Sequence, residues 1–187
     1  MTDDAEITAW ALAAGRGDRD AAARFIRATQ ARVHRFLAAL VSPSEADDLA
    51  QETYLRAMRS LPSFAARSSA STWLLTIARR VAADHVRAAT VRPRTVPLLD
   101  DYDVPDARRD GFDREVVLKQ LIAGLPADRR EAFVATQILG LSYAEAAEVC
   151  GCPVGTIRSR VARAREDLIA ASGRARSAPP SLGGTAG

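Results

Sequence analysis

Thr156, Arg158, Ser159, Arg160, Arg163 and Arg165 lie within ten residues of one another. Guanidinium groups fork onto phosphate oxygens and guanine edges, and short hydroxyls reach base edges, so this group has the chemistry of nucleic-acid recognition. Its surroundings are the sequence LSYAEAAEVCGCPVGTIRSRVARAREDL, residues 141–168. Ser142, with Glu145 three residues on, forms a capping box that starts a helix. Gly151 supplies the left-handed residue that ends it, Cys152-Pro153-Val154 turns a corner, and a second helix starts near Gly155. Ile157, Val161, Ala164 and Leu168 share one face of that second helix and pack on Ala147 and Val149 of the first. The opposite face then carries Thr156, Ser159, Arg160 and Arg163, with Arg158 and Arg165 on its flanks. Two short helices joined by a tight turn form a helix-turn-helix, whose second helix enters the major groove.

A second cluster lies in the first half of the chain. Glu45, Asp47, Asp48 and Glu52 place four acids and no base in eight residues. Such a face suits a basic partner and steers its approach, or is simply solvated. Asp48, Gln51 and Glu52 are spaced to share one side of a helix, with Leu49 and Leu55 assigned to the core. Farther along, Thr76, Arg79, Arg80, Ala83 and Arg87 face outward from a helix whose inner stripe is Leu74, Ile77, Ala78, Val81 and His85. By their chemistry, the arginines there are phosphate anchors.

Composition narrows the function classes. Of 26 basic residues 25 are arginine, Lys119 being the sole lysine, and the net charge is only +3. A GC-rich genome would produce the same arginine bias, so placement rather than number carries the nucleic-acid reading. Cys150 and Cys152 are the only cysteines, with His34 and His85 far away, so no metal site and no nucleophile–base pair is expected. No phosphate-cradling glycine loop is present, and the expectation is a non-enzyme without cofactor. The first residues lack a signal-peptide pattern and no apolar run is long enough for a membrane span, which implies a cytoplasmic protein.

The elements that must position these residues read as all-α. Helical periodicity covers 4–41, interrupted at Gly15-Arg16-Gly17-Asp18, with Asp18 an N-cap. Ile7, Trp10, Ala11 and Ala14 form one stripe, and Phe25, Val33, Phe36, Leu37 and Leu40 another. A third helix starts at Ser44 or Glu45 and runs to residue 60, Leu61-Pro62-Ser63-Phe64 stops it, and a fourth spans Thr72 to about Ala88. These give a first helical domain, 5–91. Residues 92–112 hold three prolines, a glycine and five aspartates and read as a flexible acidic linker. A second small helical domain spans 113–171, followed by a disordered tail, 172–187.

Both halves resemble one family. Leu125-Pro126, Arg130-Glu131, Phe133, Gly140 to Tyr143, Glu145, Ala147, Cys152-Pro153-Val154-Gly155-Thr156, Ser159-Arg160 and Arg163-Ala164-Arg165 resemble the C-terminal domain of extracytoplasmic-function sigma factors. Gly17-Asp18, Asp47 to Tyr54, Thr72-Trp73-Leu74, Ile77-Ala78-Arg79, Asp84 and Arg87 resemble their N-terminal domain. Within the family the chain is most similar to the sigma-C type of actinobacteria.

The resemblance implies two helical domains, sigma domains 2 and 4, that bind core RNA polymerase and promoter DNA. It assigns Asp48, Gln51 and Glu52 to the polymerase β′ clamp and the helix-turn-helix to the −35 element, with the β flap as a further polymerase contact. The loop Phe64–Ser71 and the helix after it would read the −10 element through Phe64, Arg67, Ser68, Ser69, Thr76, Arg79, Arg80 and Arg87. In that loop Ser71 also offers a short polar group, while Trp73 either stacks on DNA or joins the core. Many members carry asparagine where this chain has Arg80, which either reads a base or holds phosphate. The linker either threads toward the active-site cleft or is a plain tether, and an anti-sigma protein is a further conceivable partner. The competing reading is a helix-turn-helix regulator that acts without joining the polymerase; it leaves the acidic helix and the −10-like segment unexplained.

Overall fold

A computed structural model describes residues 3–91 and 112–177. Among them every regular element is helical: α1 (Asp4–Gly15), α2 (Arg19–Leu40), α3 (Pro43–Ser60), α4 (Ala70–Val91), α5 (Phe112–Ala123), α6 (Ala127–Phe133), α7 (Tyr143–Cys150) and α8 (Val154–Ser177). The linker and residues 178–187 lie outside the described residues.

Local capping chemistry sets most boundaries. Asp18 accepts a hydrogen bond from the Ala21 amide at 2.9 Å and starts α2, as its position predicts. The third helix begins at Pro43, slightly ahead of expectation, because proline fits the first turn of a helix and Ser42 supplies the residue before it. The carboxylate of Glu45 reaches back to accept the Ser42 amide at 3.2 Å. Similarly, α4 begins at Ala70 rather than Thr72, since the Ser69 hydroxyl accepts the Thr72 amide at 3.2 Å. At the other end of the chain, α8 continues through Gly173 to Ser177, so the first residues assigned to a disordered tail are helical.

Helices α1–α4 bury the two stripes read from the sequence. Phe25, Phe36, Leu37 and Ala78 are fully enclosed, with Leu74, Leu75 and Val81 beside them; each large side chain contributes roughly 1.5–3 kcal/mol by leaving water. Two threonines sit inside this core without penalty. Thr29 donates to the Phe25 carbonyl at 2.7 Å and lies 2.8 Å from the Tyr54 hydroxyl, while Thr53 donates to the Leu49 carbonyl at 2.7 Å. Leu55 departs from expectation. It is 48% exposed, because Ala46, Leu49, Thr53 and Ala57 already form the buried face of α3.

Helices α5–α8 enclose Ile122, Leu125, Ala132, Val134, Ala135, Val149, Ile157, Val161 and Ala164. Between α6 and α7 the chain opens into one wide turn, Val134–Ile138, closed by the Leu139 amide on the Val134 carbonyl at 3.0 Å. The two bundles touch. Helix α4 lies along α7, and α2 meets α5 and α6, so buried side chains of both form one continuous apolar cluster. Arg130 spans this contact, donating to the Leu40 carbonyl of α2 at 3.3 Å and, within its own bundle, to the carbonyls of Leu125 at 3.0 Å and Ala123. Burial pushes its guanidinium pKa below the ordinary value.

Candidate nucleic-acid and partner interfaces

The corner between α7 and α8 is built from backbone outward. The Ser142 hydroxyl accepts the Glu145 amide at 3.2 Å, and the Glu145 carboxylate accepts the Ser142 amide at 2.8 Å. This is the reciprocal box predicted from the sequence. At the other end Gly151 takes φ 62°, while the Gly151 and Cys152 amides donate to Glu148 and Ala147 at 3.2 and 3.1 Å, closing the helix with a paired C-terminal motif. Helix α8 then leaves with Ile157 and Ala164 fully buried and Val161 beside them. Cys150 is buried, and burial pushes its thiol up to about 12, which makes it a packing residue rather than a nucleophile.

The stripe on α8 fixes what faces outward. Arg158, Ser159, Arg163 and Arg165 are exposed; Thr156 and Arg160 are half-buried. They are not equally available. Arg160 pairs with Asp128 at 3.3 Å and donates toward the Cys152 sulfur at 3.7 Å. Arg165 donates to Gln137 Oε1 at 2.9 Å, and the Ser159 hydroxyl donates to the Thr156 carbonyl at 2.9 Å. Arg158 and Arg163 have no ion-pair partner among the described residues and form the open cationic edge of the helix.

On α3 the acidic cluster is largely engaged within the chain. Glu45 lies 2.7 Å from His85 Nε2; hydrogen bonds from Ser42 and then from His85 hold its carboxyl below the usual range. Asp47 is 3.2 Å from His34. Glu52 accepts from Arg56 at 2.7 Å, and Arg56 also reaches Asp84 at 2.8 Å. Asp48 and Gln51 are exposed, and Asp48 is the acid of this cluster without an ion pair among the described residues. Leu55 follows Asp48, Gln51 and Glu52 by seven, four and three residues, so it joins their face. Sequence reasoning assigned it to the core and missed it.

The third region is the segment ahead of α4. Phe64 and Trp73 stack at a tilt of 39° with ring centroids 4.8 Å apart, both half-buried against the core. Arg67 is exposed and Ser68 half-buried, but the remaining serines are occupied. Ser69 caps α4, and Ser71 is 2% exposed and donates to Asp4 at 2.5 Å; Ser71 is therefore not a group open to DNA. On α4 itself Arg80 is exposed, Thr76 donates to the Thr72 carbonyl at 3.0 Å and Arg87 pairs with Asp84. Arg79, expected to face outward, instead donates through Nε to Glu131 of α6 at 2.8 Å. Burial works against its charge, and Glu131 more than offsets this, raising the guanidinium pKa. Among the described residues no group of three or more His, Cys, Asp and Glu is arranged to hold a metal.

Comparison with known proteins places both halves. Residues 25–92 match the Sigma-70 region 2 model and residues 115–168 the Sigma-70, region 4 model. The chain is 54% identical over 171 residues to the ECF RNA polymerase sigma factor SigC of Mycobacterium tuberculosis, covering 90% of this chain and 92% of that protein. It is 34% identical over 163 residues to the ECF RNA polymerase sigma-E factor of Haemophilus influenzae, covering 80% and 86%. Among solved structures, CnrH in complex with the cytosolic domain of CnrY aligns with a TM-score of 0.72 at 22% identity, covering 90% of this chain and 98% of that one, and supports the fold. The sigma factor RpoE of Bartonella quintana, crystallised with the anti-sigma factor NepR, aligns with a TM-score of 0.60 at 30% identity, covering 78% and 92%. The chain belongs to the extracytoplasmic-function sigma factors of RNA polymerase, and its similarity to the sigma-C type spans both domains.

Proposed function

We propose that the chain divides promoter recognition between its two bundles. Residues 5–91 dock on core polymerase and read the −10 element; residues 113–171 read the −35 element and meet the β flap; residues 92–112 tether them. In this reading the protein acts in the cytoplasm and catalyses no reaction of its own. The observation that carries the reading is the pairing, in one chain, of an exposed acid beside an exposed leucine on α3 with an open cationic edge on α8. A regulator acting by the helix-turn-helix alone has no use for the first.

Polymerase contact is assigned to Asp48, Gln51 and Glu52, with Leu55 adding an apolar centre that the charged residues surround, an arrangement common at protein interfaces. Arg158 and Arg163 are assigned to −35 bases, with Thr156, Ser159, Arg160 and Arg165 orienting the helix or holding phosphate. Phe64, Arg67, Ser68, Thr76, Arg79, Arg80 and Arg87 are assigned to the −10 strand, and Ser69 contributes by capping α4, which carries the last four. Promoter engagement by Arg79 requires the ion pair between α4 and α6 to open, since Glu131 holds the guanidinium that would meet phosphate. An anti-sigma protein is a further partner in this reading, since the similar RpoE of Bartonella quintana was crystallised with the anti-sigma factor NepR.

The deciding experiment is transcription from a promoter library by core polymerase with and without the protein. Enrichment of two sequence elements at fixed spacing, dependent on the protein, is the expected result. Activity on DNA without association with core polymerase would overturn the reading.

A further inference from the structure

Helix α1 precedes the region 2 match, which begins at residue 25, and none of the residues assigned above to polymerase or DNA lies on it. It packs mainly on α2, and its other contacts fall on residues 61–63 and on α4. Thr8 Oγ1 accepts the Ala70 amide at 3.0 Å, across 62 residues of sequence, and so occupies one of the unpaired amides that open α4. One turn earlier, Asp4 accepts from the Ser71 hydroxyl at 2.5 Å and pairs with Arg32 of α2 at 3.7 Å. At the far end of α1, Gly15 lies against the Leu61 backbone so closely that an added Cβ would stand 2.6 Å from the Leu61 carbonyl oxygen. The helix therefore grips both ends of residues 61–71.

Between those two grips lies the segment assigned to the −10 element. In its middle Ala66 adopts φ 49°, a left-handed conformation that a non-glycine residue keeps only when its surroundings enforce it. Arg67 and Ser68 follow directly. With both ends clamped, the loop presents these side chains in a fixed geometry instead of ordering them when DNA arrives, which lowers the entropic cost of binding.

We propose that α1 is a splint for the −10 reading segment, with Asp4, Thr8 and Gly15 as positioning residues for promoter opening. This rests on the assignment of Phe64–Ser71 and α4 to the −10 element, so its test separates the two. Full-length holoenzymes carrying Thr8→Val, Thr8→Ser, Gly15→Ala and Arg80→Ala would be compared on a promoter with a fluorescent base analogue in the −10 element. Core-polymerase affinity and binding to a −35 duplex would be measured alongside, and exchange of the Ala70 amide followed by NMR.

Thr8→Val should slow promoter opening about fivefold, the loss of one hydrogen bond, and speed Ala70 exchange, with core and −35 binding unchanged. Thr8→Ser should restore both signals, and Gly15→Ala should slow opening independently. If Arg80→Ala slows opening and neither Thr8→Val nor Gly15→Ala does, the splint is refuted while the −10 assignment stands. If none of the three changes opening, both fall. If Thr8→Val weakens core binding, −35 binding and opening alike, α1 is a general stabiliser and the proposal is wrong.

Discussion

Replacing Glu131 by glutamine tests whether the α4–α6 ion pair restrains DNA binding. The pair is part-buried, with the side chains of Arg79 and Glu131 29% and 15% exposed and 2.8 Å between Nε and carboxylate oxygen. A hydrogen bond to a charged group contributes about 1.5–3 kcal/mol net, which corresponds to a factor of roughly 10–150 in an equilibrium constant. When a binding-competent state is only partly populated, apparent affinity is reduced by that fraction. Glu131→Gln should therefore raise the affinity of the free protein for a single-stranded −10 fragment by about tenfold or more, up to the point where the open state dominates. Arg79→Ala breaks the same pair but also removes the guanidinium proposed to meet phosphate, so it should give no such gain. The assay is fluorescence anisotropy with the labelled fragment, paired with energy transfer between dyes on α2 and α8. Equal fragment affinity for wild type and Glu131→Gln, with unchanged dye separation, would refute the restraint. A gain with Arg79→Ala as large as with Glu131→Gln would show that Arg79 does not meet DNA.

Three other outcomes are expected. Arg163→Ala should cost about 1–3 kcal/mol at one or two −35 positions, whereas Arg165→Ala should weaken all sequences equally and flatten the salt dependence; a −35 substitution library transcribed with each variant distinguishes them. Asp48→Lys should reduce core-polymerase affinity more than Glu52→Gln, because Glu52 is already paired with Arg56, and binding assays with both variants of unchanged helical circular dichroism decide it. Glu45, whose carboxyl is held below the ordinary carboxylate range by hydrogen bonds from Ser42 and then His85, stabilises the fold above that range and ceases to as pH falls through the folded value. The stability gap between wild type and Glu45→Gln, followed by urea unfolding, should thus be full near neutrality and close under acid.

What was legible in the sequence was local. Asp18, Ser142, Glu145 and Gly151 act within four residues of themselves, so their types and spacing predicted their bonds. The α8 stripe was equally clear, since Ile157, Val161 and Ala164 leave only one face for the arginines. Leu55 was misassigned although periodicity argues against it: at 3.6 residues per turn it lies about 240° around α3 from Leu49. The partners of Arg79 and Ser71 were out of reach for a different reason. Glu131 and Asp4 stand 52 and 67 residues away, and no spacing rule within a helix brings them together. The wide turn at Val134–Ile138 likewise had no breaker to announce it.

The continuous apolar cluster beneath both bundles bears on how the chain can vary. Helix α4 and the helix-turn-helix complete each other's cover, so under the proposed assignment of α4 to the promoter one set of atoms would serve both fold stability and target recognition. Residues on that seam answer to two selective demands, and a substitution that improves one can degrade the other. Thermal unfolding of the free chain should register this as a single cooperative transition rather than two. In a seam-opening variant such as Glu131→Gln, the two bundles should begin to melt apart, each at its own temperature.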